Sequence, residues 1–238
     1  YFMNDIAYHH DKYRRGYDKI INIWGADHHS HISRLNASMN LLSNDLKKLN
    51  FVLIQFVRLI KDGKDVSMSK RSGSYTTIKD LLAEFNKDLV RFMMVSRSSD
   101  SHFDFDLDKC REGSDENPIF YIQYANARIN SILSKNNLDD DFDKTDFYLL
   151  NQEQEIMLIK KMLAFPDIII ESSNTMSPHK IAFYLQELAK IFHSYYKNVK
   201  VLVDDKNLTN ARILLLRSLK IIFTNGLNLL GVSSPERM

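Results

Sequence analysis

The fold is decided by residues 20–29, Ile-Ile-Asn-Ile-Trp-Gly-Ala-Asp-His-His, where a short apolar run ends at a glycine and a helical pattern begins. The apolar run is typical of a buried strand, and the apolar spacing from Ala26 to Leu42 predicts a helix. A second apolar run, from Phe51 to Val57, predicts another strand. Strand, helix and strand in this order predict a parallel βαβ unit with a right-handed crossover.

A basic loop follows the second predicted strand, since residues 66–73 read Val-Ser-Met-Ser-Lys-Arg-Ser-Gly. The segment from Thr77 to Asp80 then predicts the capped start of a helix. Open α/β folds bind ligands at the carboxyl ends of their strands, where Lys70 could neutralise charge on a transferring phosphate. For this segment alone, a solvated surface loop is the open alternative.

From about Asn117 onward, the sequence pattern is almost wholly helical. Asn117 suits a helix cap and Pro118 suits a first helical turn. Two apolar stripes at helical spacing predict the packed faces of an α-helical bundle. The stripes are Ile181, Leu185, Leu188, Phe192, Tyr195 and Val199, and then Leu208, Ala211, Leu215, Ile222 and Leu229.

The composition of the 238 residues limits the classes of protein to which the chain can belong. Seven glycines and four prolines suit a helix-rich protein, and a net charge of +2 means that nucleic acid would bind only to local basic patches. The single Cys110 excludes an intrachain disulfide and suits a reducing compartment. We see no apolar run long enough to cross a bilayer and no signal peptide, and we expect no membrane partner. Because the first residue is Tyr1 and not Met, we expect the chain to begin inside a longer protein.

The residues after the first strand form a candidate ligand site. Gly25 would let a ligand approach the backbone, the helix start favours polar or anionic ligands, and Asp27 could accept hydrogen bonds from ribose hydroxyls. His28, His29 and His31 also suggest a metal site, which ranks lower because no cysteine is near and further ligands are needed. The alternative is that these residues form a histidine-rich helix cap on the surface that binds no ligand.

Two further segments carry candidate binding residues. Tyr1 and Asp5 lie one helical turn apart, and a carboxylate beside an aromatic hydroxyl suits a guanidinium or ammonium group. Tyr121 and Tyr124 share a helix face near Arg128, which would make a stacking platform for unpaired bases. The alternatives are solvated side chains in the first case and core tyrosines in the second.

In their order and spacing, these segments resemble the carboxyl-terminal half of arginyl-tRNA synthetase of the bacterial type, a class I aminoacyl-tRNA synthetase. The matching segments are Tyr1-x-x-x-Asp5-Ile6-Ala7 and residues 24–29, 68–73, 90–92 with 99–101, 104–107, 117–125 and 235–238. The resemblance implies half of a Rossmann-like catalytic domain at residues 1–76, a helical connecting region at 77–114 and an α-helical anticodon-binding domain at 115–238. The chain would then be predominantly helical overall.

The resemblance also implies a function, arginine–tRNA ligation. ATP, bound with Mg²⁺ as the substrate complex, would activate L-arginine for transfer to tRNA(Arg), in a cytoplasmic monomer without a tightly bound metal. Two alternatives remain. One is a non-catalytic tRNA-binding helical module with a vestigial nucleotide-fold half, and the other is a plain helical scaffold with buried tyrosines.

The implied roles fall on individual residues of this sequence. Arginine would contact Tyr1, Asp5 and His29; ATP would contact Gly25, Asp27, His28, Met68, Ser69 and Lys70, with Lys70 as the electrostatic catalyst; tRNA would contact Tyr121, Tyr124, Tyr196, Lys200 and Met238.

The sequence departs from the family pattern at several places. Relatives can carry Gln at the position of His29, and an aromatic at the position of Lys200, whose expected contact is therefore with phosphate. Ser67 replaces the first signature lysine, and no His-x-Gly-His motif occurs in the 238 residues. We therefore expect the chain alone to be unable to form arginyl-adenylate.

Overall fold

The computed structural model describes residues 1–66, 76–111, 117–135 and 145–238, without the side chain of Arg111. The predicted phosphate loop with Ser67, Met68, Ser69 and Lys70 lies outside the described residues. The chain forms two compact units, which are described separately: unit 1 is Tyr1–Ile60 with Ser98–Phe105, and unit 2 is Lys61–Arg97 with Asp106–Met238. The predicted division at residues 76 and 114 stays a prediction.

Unit 1 contains the predicted βαβ unit. Its elements are α1 (Phe2–Arg14), β1 (Ile20–Gly25), a 3₁₀ turn (Ala26–His28), α2 (His29–Leu41), a second 3₁₀ turn (Leu46–Lys48) and β2 (Leu49–Ile54). Strands β1 and β2 pair in parallel, with Ile20 opposite Leu49 and Gly25 opposite Ile54. The strand–helix–strand prediction is therefore confirmed.

The sequence predicts a single strand from Phe51 to Val57, but the structure divides this run between two strands. Strand β2 ends at Ile54, and Val57 begins β3 (Val57–Lys61). Between them, the Gln55 amide donates a hydrogen bond to the carbonyl of Ser99 (2.9 Å), so this part of the backbone is paired elsewhere. Periodicity could not find the break, because both halves of the run are apolar.

The core of unit 1 lies on one face of its parallel sheet. Ile20, Leu35, Met39 and Leu49 are buried together, and the partly buried hydrophobic residues that pack against them are Ile6, Tyr13, Trp24 and Phe51. Alternate residues of β1 point away from this core, and Ile23 is 69% exposed. The βαβ unit thus leaves apolar side chains of β1 exposed, as expected for a parallel sheet covered on one face.

Three further strands form a second sheet, which the sequence analysis missed. Strands β3, β4 (Lys64–Asp65) and β5 (Phe103–Asp106) have the order β4-β3-β5. Arg58 binds Asp104 through Nε and Nη2, both at 2.8 Å. The turn Asp62-Gly63 has positive φ at both residues (52° and 69°), which favours a two-residue hairpin turn with glycine second.

Two helices of unit 2 begin at the caps that the sequence predicted. Thr77 and Asp80 form a capping box at α3 (Ile78–Glu84), and Asn117 caps α6 (Pro118–Leu133) with Pro118 in its first turn. The remaining helices are α4 (Lys87–Val95), α5 (Leu107–Arg111), α7 (Glu153–Leu163), α8 (Phe165–Asn174), α9 (His179–Asn198) and α10 (Lys206–Leu230).

The predicted stripe on α9 is confirmed, since all six of its residues are buried. The stripe on α10 is partly wrong, because Leu229 is 55% exposed while Leu219, Phe223 and Leu227 are buried. The predicted residues lie largely seven apart, and a straight α-helix rotates by about 20° over each seven residues. A stripe drawn with that spacing leaves the core toward the end of a 25-residue helix.

Helix α10 is long and apolar enough to cross a membrane by length and composition alone, and half of its most apolar window is buried. It packs against α6 and α9. A Cβ added at Gly226 would lie 2.7 Å from Cδ2 of Leu185, so glycine permits the close approach of α10 to α9. These contacts are those of a core helix in a bundle.

Candidate functional sites in the two units

The carboxylate of Asp5 is paired with a histidine in unit 1. Helix α1 brings Oδ2 of Asp5 within 3.1 Å of Nε2 of His31 on α2. The side chain of Asp5 remains about half exposed, and that of His31 is largely buried. Tyr1 is fully exposed at the start of α1. The sequence suggests His31 only as a metal ligand, and no local pattern in it predicts the pairing of His31 with Asp5.

Aromatic rings surround this histidine. The ring of His31 lies 5.1 Å from Phe2 and 5.5 Å from Trp24, between ring centroids. Trp24 in turn packs against Phe51 of the neighbouring strand at 4.9 Å. An accessible carboxylate beside aromatic faces is an arrangement that can receive a guanidinium group through hydrogen bonds and cation–π contact.

A buried polar cluster fixes α1 against β1 beneath this site. His9 donates from Nδ1 to the carbonyl of Asp5 (2.7 Å), and its Nε2 lies 3.0 Å from Oδ1 of Asn22. The Lys12 ammonium donates to the same Asn22 oxygen at 2.7 Å. Burial lowers the pKa of Lys12, with a further lowering by Arg15 and an opposing effect of Tyr8. The sequence signal was Asn22, a polar residue inside an apolar strand.

The residues predicted to contact ATP lie at the carboxyl end of β1. A Cβ added at Gly25 would lie 2.5 Å from Oδ1 of Asp27, so glycine makes room for the Asp27 carboxylate at the strand end. The carboxylate lies 3.7 Å from Nε2 of His28, and both side chains are largely exposed. His29 is exposed in the first turn of α2. In the parts of the chain that the structure describes, no three His, Cys, Asp or Glu side chains converge as metal ligands.

Unit 2 contains a groove of about 860 Å³. It brings together Tyr124 from α6, Tyr196 from α9 and Met238, three of the five residues predicted to contact RNA. Tyr124 and Tyr196 are 41% and 40% exposed, so they are not the buried core tyrosines of the scaffold alternative. Further residues that line the groove are Arg128, Asn130, Ser131, Lys220, Glu236 and Arg237.

Arg128 joins the two tyrosines of the groove. Its guanidinium carbon lies 4.1 Å from the ring centroid of Tyr124 and 4.7 Å from that of Tyr196. Nη2 of Arg128 also donates a hydrogen bond to the Tyr124 hydroxyl. The guanidinium plane of arginine suits such contacts with aromatic faces. In the sequence, Arg128 lies near Tyr121 and Tyr124, but it is not among the predicted site residues.

Two predicted RNA contacts lie outside the residues that line this groove. The ring of Tyr121 packs against His193, with centroids 4.3 Å apart. Lys200 is exposed, and its carbonyl accepts a hydrogen bond from Nη1 of Arg212 (2.8 Å). The positive charge in the groove comes from Arg128, Arg237 and Lys220, which is paired with Glu236 at 3.1 Å.

The region of unit 2 that forms the groove matches a known protein family. Residues 122–238 match the family described as the DALR anticodon binding domain. The whole chain is 50% identical over 238 residues to the arginine–tRNA ligase of Vesicomyosocius okutanii, and 45% identical over 239 residues to that of Nitrosomonas eutropha. Over its whole length, the chain is similar to these arginine–tRNA ligases. It spans 41% of the length of each of these two relatives and matches their carboxyl-terminal part.

Two solved structures share the fold. A Campylobacter jejuni protein, provisionally assigned as an arginyl-tRNA synthetase, superposes with a TM-score of 0.88 at 34% identity, over 100% of this chain and 52% of that one. The Thermus thermophilus arginyl-tRNA synthetase superposes with a TM-score of 0.72 over 93% of this chain and 41% of that one. At 24% identity, the second match concerns the fold alone.

Proposed function

We propose that this chain takes part in the ATP-dependent joining of L-arginine to tRNA(Arg). The observation that carries the proposal is the contact of Arg128 with Tyr124 and Tyr196, within the region that matches an anticodon-binding domain. Unpaired RNA bases are bound by stacking on aromatic rings and guanidinium planes. An anticodon loop presents such bases, and it suits a groove with two exposed tyrosines.

The charges of the groove suggest how the rest of the loop is held. Lys220 and Arg237 would contact phosphates, which position an RNA but do not specify its sequence. Met238 adds an apolar surface beside the tyrosines. In this proposal Tyr121 and Lys200 act at the edge of the bound loop, Lys200 through phosphate.

In unit 1, we assign the βαβ segment to part of a Rossmann-like nucleotide-binding fold. Asp5 would hold the substrate guanidinium with help from Tyr1 and His29, and would favour arginine over a neutral amino acid, whose side chain offers the carboxylate no cation. Gly25, Asp27 and His28 would hold the adenosine part of ATP. The Met68–Ser69–Lys70 loop would close over the phosphates, with Lys70 as the main source of positive charge.

The proposed reaction has two steps. The carboxylate of arginine attacks the α-phosphorus of Mg²⁺-bound ATP, which gives arginyl-adenylate and releases pyrophosphate. A hydroxyl of the terminal ribose of tRNA then attacks the arginyl carbonyl, and AMP leaves. The protein contributes mainly by holding the reactants in place and by stabilising charge on the phosphates.

The first test is the binding of tRNA(Arg) to the 238-residue chain by filter binding, over a series of salt concentrations. We expect salt-sensitive binding that is tighter than the binding of a tRNA for another amino acid. Replacing both Tyr124 and Tyr196 by alanine should remove most of this preference. Equal affinity for both tRNAs, or no loss in the double variant, would contradict the assignment of the groove.

A second measurement separates the ligase from a non-catalytic RNA-binding module. The module predicts tRNA binding with no binding of arginine or ATP, which equilibrium dialysis of each ligand detects. We expect the chain alone to show no arginine-dependent exchange of pyrophosphate into ATP, with or without tRNA. Measurable exchange would contradict that expectation and support catalysis by this chain alone.

A further inference from the structure

His193 on α9 contacts α6, and these two helices carry the tyrosines that line the groove. Helix α6 carries Tyr121, Tyr124 and Arg128, whereas α9 carries His193 and Tyr196. The contacts of Arg128 with Tyr124 and Tyr196 therefore depend on the register of two helices that are distant in sequence. A side chain that fixes this register also fixes the geometry of the groove.

The contacts of His193 meet this requirement. Nε2 donates a hydrogen bond to the carbonyl of Tyr121 across the helix pair, at 3.1 Å. The imidazole ring is stacked on the ring of Tyr124, with centroids 5.8 Å apart and an interplanar angle of 28°. It also packs against the ring of Tyr121 at 4.3 Å. One side chain thus holds both the backbone of α6 and an aromatic ring that lines the groove.

The chemistry of the site favours a neutral imidazole. A carbonyl oxygen can only accept, so Nε2 carries the proton that bonds to Tyr121. Nδ1 is buried and has no hydrogen-bond partner among the described residues, so it is suited to hold the lone pair. Burial lowers the pKa of His193, and the nearby Arg128 lowers it further, against an opposing effect of the Tyr121 carbonyl.

We infer that His193 is a positioning residue for the RNA groove, which keeps Tyr124 and Arg128 in the geometry that receives an unpaired base. The inference rests on the proposed function of unit 2 and goes beyond it, since His193 does not itself line the groove. It acts through Tyr124, and it predicts that the two residues are coupled in RNA binding.

The test uses the variant His193→Phe in the full 238-residue chain, with tRNA(Arg) as the probe. Phenylalanine keeps a buried ring but cannot donate to Tyr121. Loss of a stacked aromatic weakens binding by roughly 5- to 150-fold, so a displaced tyrosine should cost part of this, about 3- to 10-fold. His193→Gln keeps a hydrogen-bond donor, and should recover part of the affinity for tRNA(Arg) that His193→Phe loses.

A double-mutant cycle distinguishes positioning from an independent effect on the fold. In a Tyr124→Ala background, His193→Phe should have little further effect on the dissociation constant, because the ring that it positions is gone. Losses that multiply in the double variant, or an unchanged affinity in His193→Phe alone, would overturn the inference. The matched control is His179→Phe on the first turn of α9, where His179 packs edge-on against Phe183 outside the groove.

A measurement without RNA keeps the inference separate from the proposed function. The chain can be labelled with 3-fluorotyrosine, and the ¹⁹F resonances of Tyr124 and Tyr196 assigned by Tyr→Phe variants. In His193→Phe, both resonances should move, that of Tyr196 because Arg128 leaves its ring. If neither resonance moves, the inference is wrong even if tRNA(Arg) binds. If both move but the wild-type chain does not prefer tRNA(Arg), the proposed function alone fails.

Discussion

Arg128 illustrates how single residues acquire their role through the fold. Arg128 follows Tyr124 by four residues in the sequence, which suggested only a nearby positive charge. The second tyrosine that it contacts, Tyr196, comes from another helix. No local pattern links residues 128 and 196. Periodicity and motifs therefore could not predict the contact between the two helices, but they could predict tyrosines on one face of a helix.

The first prediction concerns Arg128→Lys, which keeps the positive charge and removes the guanidinium plane. A cation–π contact at a partly exposed site contributes about 1 kcal/mol, so we expect roughly fivefold weaker binding of tRNA(Arg). The dependence of the dissociation constant on salt should not change, because the number of charges is the same.

Arg15→Lys is the matched control, since Arg15 lies 6.0 Å from the ring of Tyr17 on the surface of unit 1. It should leave RNA binding unchanged. An Arg128→Lys variant with wild-type affinity would show that charge alone, and not the planar contact, is what Arg128 supplies.

At the level of elements, sequence signals were strongest where a local interaction decides the structure. The caps at Thr77 and Asn117 and the order β1–α2–β2 were predicted because each depends on neighbouring residues. The sequence did not predict the division of the run at Gln55, because the backbone hydrogen bond to Ser99 decides it. Nor did it predict the exposure of Leu229, because the packing of α10 decides which of its residues are buried. Tertiary contacts set the limits of these elements.

The second prediction tests the approach of α10 to α9 through Gly226→Ala. At a helix position with free space for a methyl group, this change would stabilise the folded protein by about 0.5–1 kcal/mol, because glycine costs backbone entropy. Here the new methyl would meet Leu185, which is fully buried, and overpacking costs about 1–3 kcal/mol. We expect a net loss in the free energy of unfolding, measured by urea denaturation.

The cause of that loss can be tested by making room for the methyl group. In a Leu185→Ala background, the atoms that obstruct it are absent, and Gly226→Ala should become neutral or stabilising. Asn225→Ala, at an exposed position of the same helix turn, is the control for helix propensity. A stabilising Gly226→Ala in the wild-type background would contradict the close approach of the two helices.

At the scale of the whole molecule, each unit contains a buried polar cluster whose pairings a hydrophobic pattern does not reveal. In unit 2, Nε of Arg212 on α10 binds the buried Glu155 of α7 at 2.7 Å, and Nη1 binds the carbonyl of Lys200. In unit 1, His9 and Asn22 join α1 to β1. Removing one partner of a buried ion pair is strongly destabilising. Such clusters fix which elements pack together, and hence where the residues of the two sites lie.

The last prediction is the pH dependence of folding stability that comes from His193. Because burial lowers its pKa in the folded chain, the unfolded chain takes up a proton first as the pH falls through the ordinary value of 6.5. Between that value and the folded pKa the unfolded state binds more protons, so the free energy of unfolding falls with decreasing pH. The contribution of His193 to the free energy of unfolding is complete above pH 6.5 and is lost as the pH falls through the pKa of the folded chain.

Urea denaturation at pH 7.5, 6.5 and 5.5 should show this decline in the wild type and a smaller one in His193→Phe, which cannot titrate. Equal declines in the two proteins would mean that His193 is as free to take up a proton in the folded chain as in the unfolded one, which its burial beside Arg128 argues against.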